Sequence, residues 1–157
     1  MRRLVVLLTL LALALPVVAG ASTRTAGDGT LSVRDLDGYI AVRAKGAVIG
    51  HCTECTIVLD ELPGAEPLDP IVSGGKGIDT DADDEKERWS GKDLRWKVVG
   101  ASFRMIVRQG ADVDLSVVGR GRFVLRGTDG SYSVNGATAA VVPPVLAFFQ
   151  LRAATPS

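Results

Sequence analysis

His51-Cys52-Thr53-Glu54-Cys55 is the sharpest local grouping of reactive side chains in the sequence. Two thiols three positions apart can close into a disulfide, cycle as a redox pair, or ligate a metal. A redox pair of the thioredoxin kind wants its first thiol at a helix N-terminus, where the helix dipole lowers the thiol pKa. Here Val48-Ile49 precede the pair and Thr56-Ile57-Val58-Leu59 follow it, which favours strand on both sides. The pair then spans a four-residue turn, whose end Cα atoms lie within ~7 Å, overlapping the reach of a disulfide. The expectation is a structural Cys52–Cys55 bridge, with a thiol–disulfide redox protein as the alternative. His51 gives a third ligand, and three make a poor closed zinc site; Glu54 could supply a fourth, though nothing requires it. No cofactor is expected.

Asp79-Thr80-Asp81-Ala82-Asp83-Asp84 begins like a calcium loop. Position six is then Asp84 rather than glycine, and position twelve is Ser90 rather than glutamate, so the motif fails. Asp79, Asp81 and Asp83 stay weak calcium candidates, and a solvated acidic loop is the expected state.

The third grouping is basic. If Leu94, Trp96 and Val98 point inward, Arg95 and Lys97 point outward, because strand side chains alternate. The same count turns Phe103, Met105, Val107, Phe123 and Leu125 in and Arg104, Arg108, Arg122 and Arg126 out. These six residues form a possible anion-binding face. The competing expectation is that Asp112 and Asp114, outward by the same count, neutralise them as cross-strand ion pairs. Trp89 lies beside this region, and a solvent-facing indole there would favour a ligand surface. Hydrolytic chemistry finds little support: one histidine, no Gly-x-Ser-x-Gly elbow, and no carboxylate pair set apart from loop sequence. No catalytic residues are assigned, and no enzyme is expected.

The elements that must hold these groups are short alternating runs punctuated by Gly and Asp, which read as antiparallel strands. Leu31–Arg34 and Ile40–Arg43 flank Asp37-Gly38, a hairpin signal, and Asp129-Gly130 repeats it before Tyr132-Ser133-Val134. Val48-Ile49-Gly50, Val98-Val99-Gly100 and Val117-Val118-Gly119 each end one apolar stretch shortly before another, as three glycine bends of a curling sheet would. Residues 61–90, with three prolines, a Gly-Gly-Lys-Gly run and a charged stretch, read as a long surface loop with one helical turn near Asp83 to Arg88. Leu146 to Arg152 returns as a last strand, with Phe148 or Phe149 inward. The fold class is all-β: an antiparallel β-sandwich or flattened barrel, with a short β-solenoid as the alternative.

The chain opens with Arg2-Arg3, an apolar run over Leu4–Leu15 broken once by Thr9, then Pro16 and Ala19-Gly20-Ala21. That is the pattern of a cleavable signal peptide, residues 1–21. Its apolar stretch, about 22 Å as a helix at ~1.5 Å per residue, is short of a ~30 Å hydrocarbon core. A short linker at 22–27, one β domain over 28–152 and a tail at 153–157 follow, with no transmembrane span after cleavage. The expected location is secreted or extracytoplasmic, in the cell envelope. The formal net charge is +0, which argues against nucleic acid. Charge is uneven, however: residues 22–88 hold 14 acids and 7 bases, residues 89–157 hold 4 and 9. The partner is unknown, an anionic envelope component being the candidate, for an exported, non-enzymatic domain with a binding or structural role.

Gly29-Thr30-Leu31-Ser32-Val33, the stretch Ser102 to Val107, Asp114 to Gly121 and Gly130 to Gly136 together resemble small exported β proteins of high-GC bacteria. The resemblance covers most of residues 28–136. It implies export and β architecture and carries no activity or site with it; the cysteine pair is not part of the shared pattern.

Overall fold

From Leu31 onward, apolar residues at every second position turn into one core, and the phase of that alternation slips at a few defined points. Leu31 and Val33 are buried; past Asp35 the buried set becomes Leu36, Ile40, Val42, Ala44 and Val48. Asp35, Asp93, Gln109 and Asp112 have φ between 49° and 53°. A left-handed residue inserted into a strand adds one unpaired position, as in a β-bulge, and so exchanges the inner and outer faces. Aspartate enters this conformation more readily than most residues because its short side chain can bond locally.

The structure, a computed structural model, describes residues 25–63, 65, 69–81 and 86–154. The leader read over residues 1–21 lies outside the described residues, as do the start of the linker and the last three residues of the tail. Among the described residues there are six strands: β1 (Gly29–Glu61), β2 (Ile71–Ser73), β3 (Lys76–Asp81), β4 (Lys86–Val134), β5 (Ala140–Val141) and β6 (Ala147–Leu151). All pairings are antiparallel, and no helix occurs among the described residues.

β1 has 33 residues and β4 has 49, far beyond the usual ~3–10, so both bend repeatedly while staying paired. Residues 29–38 lie between 110–119 and 127–134, and residues 38–46 between 101–110 and 119–127. Residues 46–51 lie between 95–101 and 114–119, and residues 54–61 between 86–92 and 103–111. Successive segments therefore alternate between two layers. The first layer runs β5, 127–134, 29–38, 110–119, 46–52, 94–99, β2; the second runs β6, 119–127, 38–46, 101–110, 54–61, 86–92, β3. This is the strand order of a jelly roll, an antiparallel pair of chain segments wound about a common core. The expected sandwich is present. The solenoid alternative needs parallel stacking of successive turns, which the antiparallel register excludes.

The chain changes layer where two backbones come too close for side chains. Gly46 opposes Ala101 on one side and Gly119 on the other, and a Cβ there would collide with the Val118 carbonyl and the Gly119 Cα. Gly38 is in the same relation to Arg126 and Gly127. Only glycine fits at such contacts.

Four sequence expectations change. Asp37-Gly38 is a corner rather than a hairpin turn: the segments it joins lie in different layers and pair with β4, not with each other. Asp129-Gly130 is not a hairpin turn either: it lies within the first-layer segment, two residues past the corner at Gly127. Gly50 is not a bend, because its missing side chain makes room for the Trp96 indole; the bend comes at Cys52–Cys55. Within 61–90, β2 and β3 both pair with β4, and Lys86–Arg88 is extended rather than helical; residues 83–85 lie outside the described residues. In the register of β3 with β4, Asp79 is opposite Arg88 and Asp81 is opposite Lys86.

One apolar cluster fills the space between the layers, with Trp96, Phe103 and Phe123 its largest fully buried side chains. Each contributes roughly 1.5–3 kcal/mol by leaving water. β6 arrives as expected: Phe149 stacks on Phe123 at 4.9 Å and meets Tyr132 of the opposite layer at 5.1 Å, while Phe148 is 77% exposed.

Candidate functional site

Cys52 and Cys55 form the expected disulfide, with Cα atoms 6.2 Å apart, at the corner where β1 leaves the first layer for the second. Both cysteines are buried, strand lies on either side, and no helix N-terminus adjoins them. Catalytic thiols need a low pKa and access to a partner, so the surroundings favour a cross-link. Beside this corner is an open depression of about 810 Å³ edged by Glu54, Cys55, Gln109 and Lys92. Thr56 and Ser90 share a hydroxyl hydrogen bond of 2.9 Å at its wall. His51 is not turned toward the disulfide. It lies on the outward side of the first layer, in register between Asp114 and Arg95.

Asp79 and Asp81, at alternate positions of β3, oppose cationic residues across the hairpin, and Asp83 lies outside the described residues. No group of three potential metal ligands occurs among the described residues.

The basic face divides. Arg95 and Lys97 belong to the first layer, where Arg34, Asp114, His51 and Arg95 follow one another across the strands. Arg34 contacts Asp114 at 3.9 Å. Asp112 accepts a 3.0 Å hydrogen bond from the Thr53 hydroxyl. The two aspartates expected to neutralise the arginines thus lie in the other layer from four of them. Arg104, Arg108, Arg122 and Arg126 all face outward from the second layer, and all are exposed.

The second layer adds cations that were not singled out from the sequence. Arg43 opposes Arg104 on one side and Arg122 on the other, and Lys45 opposes Arg120. Three arginines therefore lie in one row across three adjacent strands. Cβ atoms of directly opposed residues are about 5 Å apart, and like charges so placed repel. Among the described residues, carboxylates meet this face at its margins: Asp60 contacts Arg104 at 3.8 Å, and Asp28 contacts Arg120 at 3.2 Å. Asp28 is buried and also accepts the Thr25 N–H at 2.7 Å, so it anchors the start of the domain as well. Among the described residues no carboxylate is in ion-pair contact with Arg43, Lys45, Arg108, Arg122 or Arg126.

Between the arginine rows runs an apolar one. Phe148, Val124, Ala41, Ile106 and Val58 oppose one another in turn across five strands. Ile106 and Val58 point outward yet are 5% and 7% exposed, as expected where long arginine stems lie over neighbouring side chains. Trp89, whose exposure would have marked a ligand surface, is instead part of the core.

The period-two count that turned Arg104 outward also turns Arg43 and Lys45 outward. What the sequence lacked was the adjacency of these strands. Compared with known proteins, the chain matches no family model, no curated protein and no solved structure. The likeness to exported β proteins thus stands on its quoted segments alone.

Proposed function

We propose that this is an exported, non-enzymatic β-sandwich domain that binds an anionic component of the cell envelope through the outward surface of its second layer. The observation that carries the reading is the row Arg122–Arg43–Arg104. Three guanidinium groups on adjacent strands, with one marginal carboxylate, repel one another in the free protein. A phosphate- or carboxylate-bearing ligand relieves that repulsion, and guanidinium geometry suits bidentate contact with either group. The leader pattern at residues 1–21 and the disulfide support a location where oxidation persists. The Arg95 and Lys97 pair, in the other layer and beside Asp114 and His51, has no part in this reading.

The test is titration of the chain, purified after export, with a soluble glycerol-phosphate polymer at several salt concentrations. Affinity should fall as salt rises. The triple variant Arg43→Gln, Arg104→Gln, Arg122→Gln should lose most of it with the fold intact by circular dichroism. Equal binding by the variant and the parent would overturn the proposal, as would recovery of the chain from the cytoplasm with residues 1–21 attached.

A further inference from the structure

Resting on that reading, we infer that the anionic component is a lipid bilayer surface, and that the protein docks on it through the arginine rows with Phe148 entering the headgroup region. Charge complementarity is the first argument. Arg122, Arg43 and Arg104 form one row, with Lys45 and Arg120 beyond it on one side and Arg126 and Arg108 on the other. Steps of two residues along a strand are about 7 Å, so these rows cover roughly 20 Å along the strands. That is a broad cationic surface spread over several strands rather than a pocket for one anion. A plane of lipid headgroups presents negative charge in the same form.

The second argument is the position of the exposed apolar groups. Phe148 is 77% exposed and opposes Val124, whose strand neighbours at two residues' distance are Arg122 and Arg126. Val145 and Leu146, 70% and 47% exposed, lie immediately before β6. The Gly127 N–H donates to the Pro143 carbonyl at 3.0 Å, which holds this segment at the end of the second layer next to Arg126. A soluble polyanion gains nothing from Phe148, Leu146 and Val145. A bilayer does, because apolar side chains leave water in the interface while the arginines stay at headgroup level.

The experiment uses the chain purified after export and vesicles of phosphatidylcholine with or without phosphatidylglycerol. In Phe148→Trp the new indole is the exposed one, since Trp89 and Trp96 are 8% and 2% exposed. Its emission should shift to the blue on phosphatidylglycerol vesicles and be quenched by lipids labelled just below the headgroup. Replacing Arg43, Arg104 and Arg122 with glutamine should weaken vesicle binding roughly a hundredfold, at about fivefold per charge. Phe148→Ser, which removes the ring without adding charge, should weaken it about tenfold and leave binding to the soluble glycerol-phosphate polymer unchanged.

Vesicle binding without a change at residue 148 would overturn the inference, and so would equal loss of polymer and vesicle binding in Phe148→Ser. Polymer binding without vesicle binding overturns it while leaving the anionic-ligand reading intact. Absence of both removes the two together.

Discussion

The Trp96 indole lies in the space that a side chain at position 50 would fill, so Gly50 and Trp96 together complete one layer of the core. The pair opposes directly across two strands of the first layer. The indole N–H is buried there with no hydrogen-bond partner among the described residues, a cost that the ring's packing outweighs.

Gly50→Ala should therefore be destabilising although alanine is the smallest addition possible. Inserting a methyl group into a filled core costs about 1–3 kcal/mol. Urea unfolding of this variant beside Ser116→Ala, on the exposed side of the neighbouring strand, measures the difference, and only the glycine change should move the midpoint.

The disulfide should be a modest stabiliser. Closing so short a loop is worth roughly 2 kcal/mol in the chain-entropy model. The double variant Cys52→Ala, Cys55→Ala should lose about that much in chemical denaturation and keep its polymer affinity, since the corner lies away from the row of Arg43.

Arg43→Thr should stabilise the free protein in low salt, because it removes the middle charge of three. Opposed like charges cost roughly 0.2–1 kcal/mol. The gain should shrink as salt screens the repulsion of the parent. Melting temperatures of parent and variant at low and high ionic strength test this; a gain that does not change with salt would contradict it.

Glu87 gives a pH dependence of definite sign. Burial first, then the carboxylates of Glu61 and Asp69, raise its pKa above 4.5. The fold holds this proton more tightly than the unfolded chain does. The contribution is fully present below the unfolded value and is lost as pH rises through the folded one. Glu87→Gln should thus melt higher than the parent at pH 7, with the gap closing as pH falls toward 4.

The sequence made each strand's inner and outer faces readable but not its neighbours. Arg104 and Arg122 could be turned outward by counting in twos, and burial of Phe103, Met105, Phe123 and Leu125 agrees. Their common row with Arg43 depends on pairings about 60 and 80 residues distant in the chain, for which alternation holds no information. Asp37-Gly38 misled for a physical reason: the same dipeptide suits a tight hairpin or a corner between layers, and only the distant partner decides. Arg95 and Lys97 fell in with the wrong arginines because the chain crosses to the other layer at Gly100, between Lys97 and Arg104. The acidic stretch before Arg88 looked like loop because charge outweighed its alternation, yet Lys76–Asp81 pairs in register with Lys86–Ser90 as a strand.

The interleaving of β1 with β4 also has a consequence for when the domain can form. Residues 29–38 find their two neighbours only at 110–119 and 127–134. A ribosome that has made the first hundred residues has produced strands whose hydrogen-bonding edges still lack companions, and loop closure over such spans is slow. Assembly waits for the far end of the polypeptide, so the early strands stay unlocked until residues beyond 127 have been made.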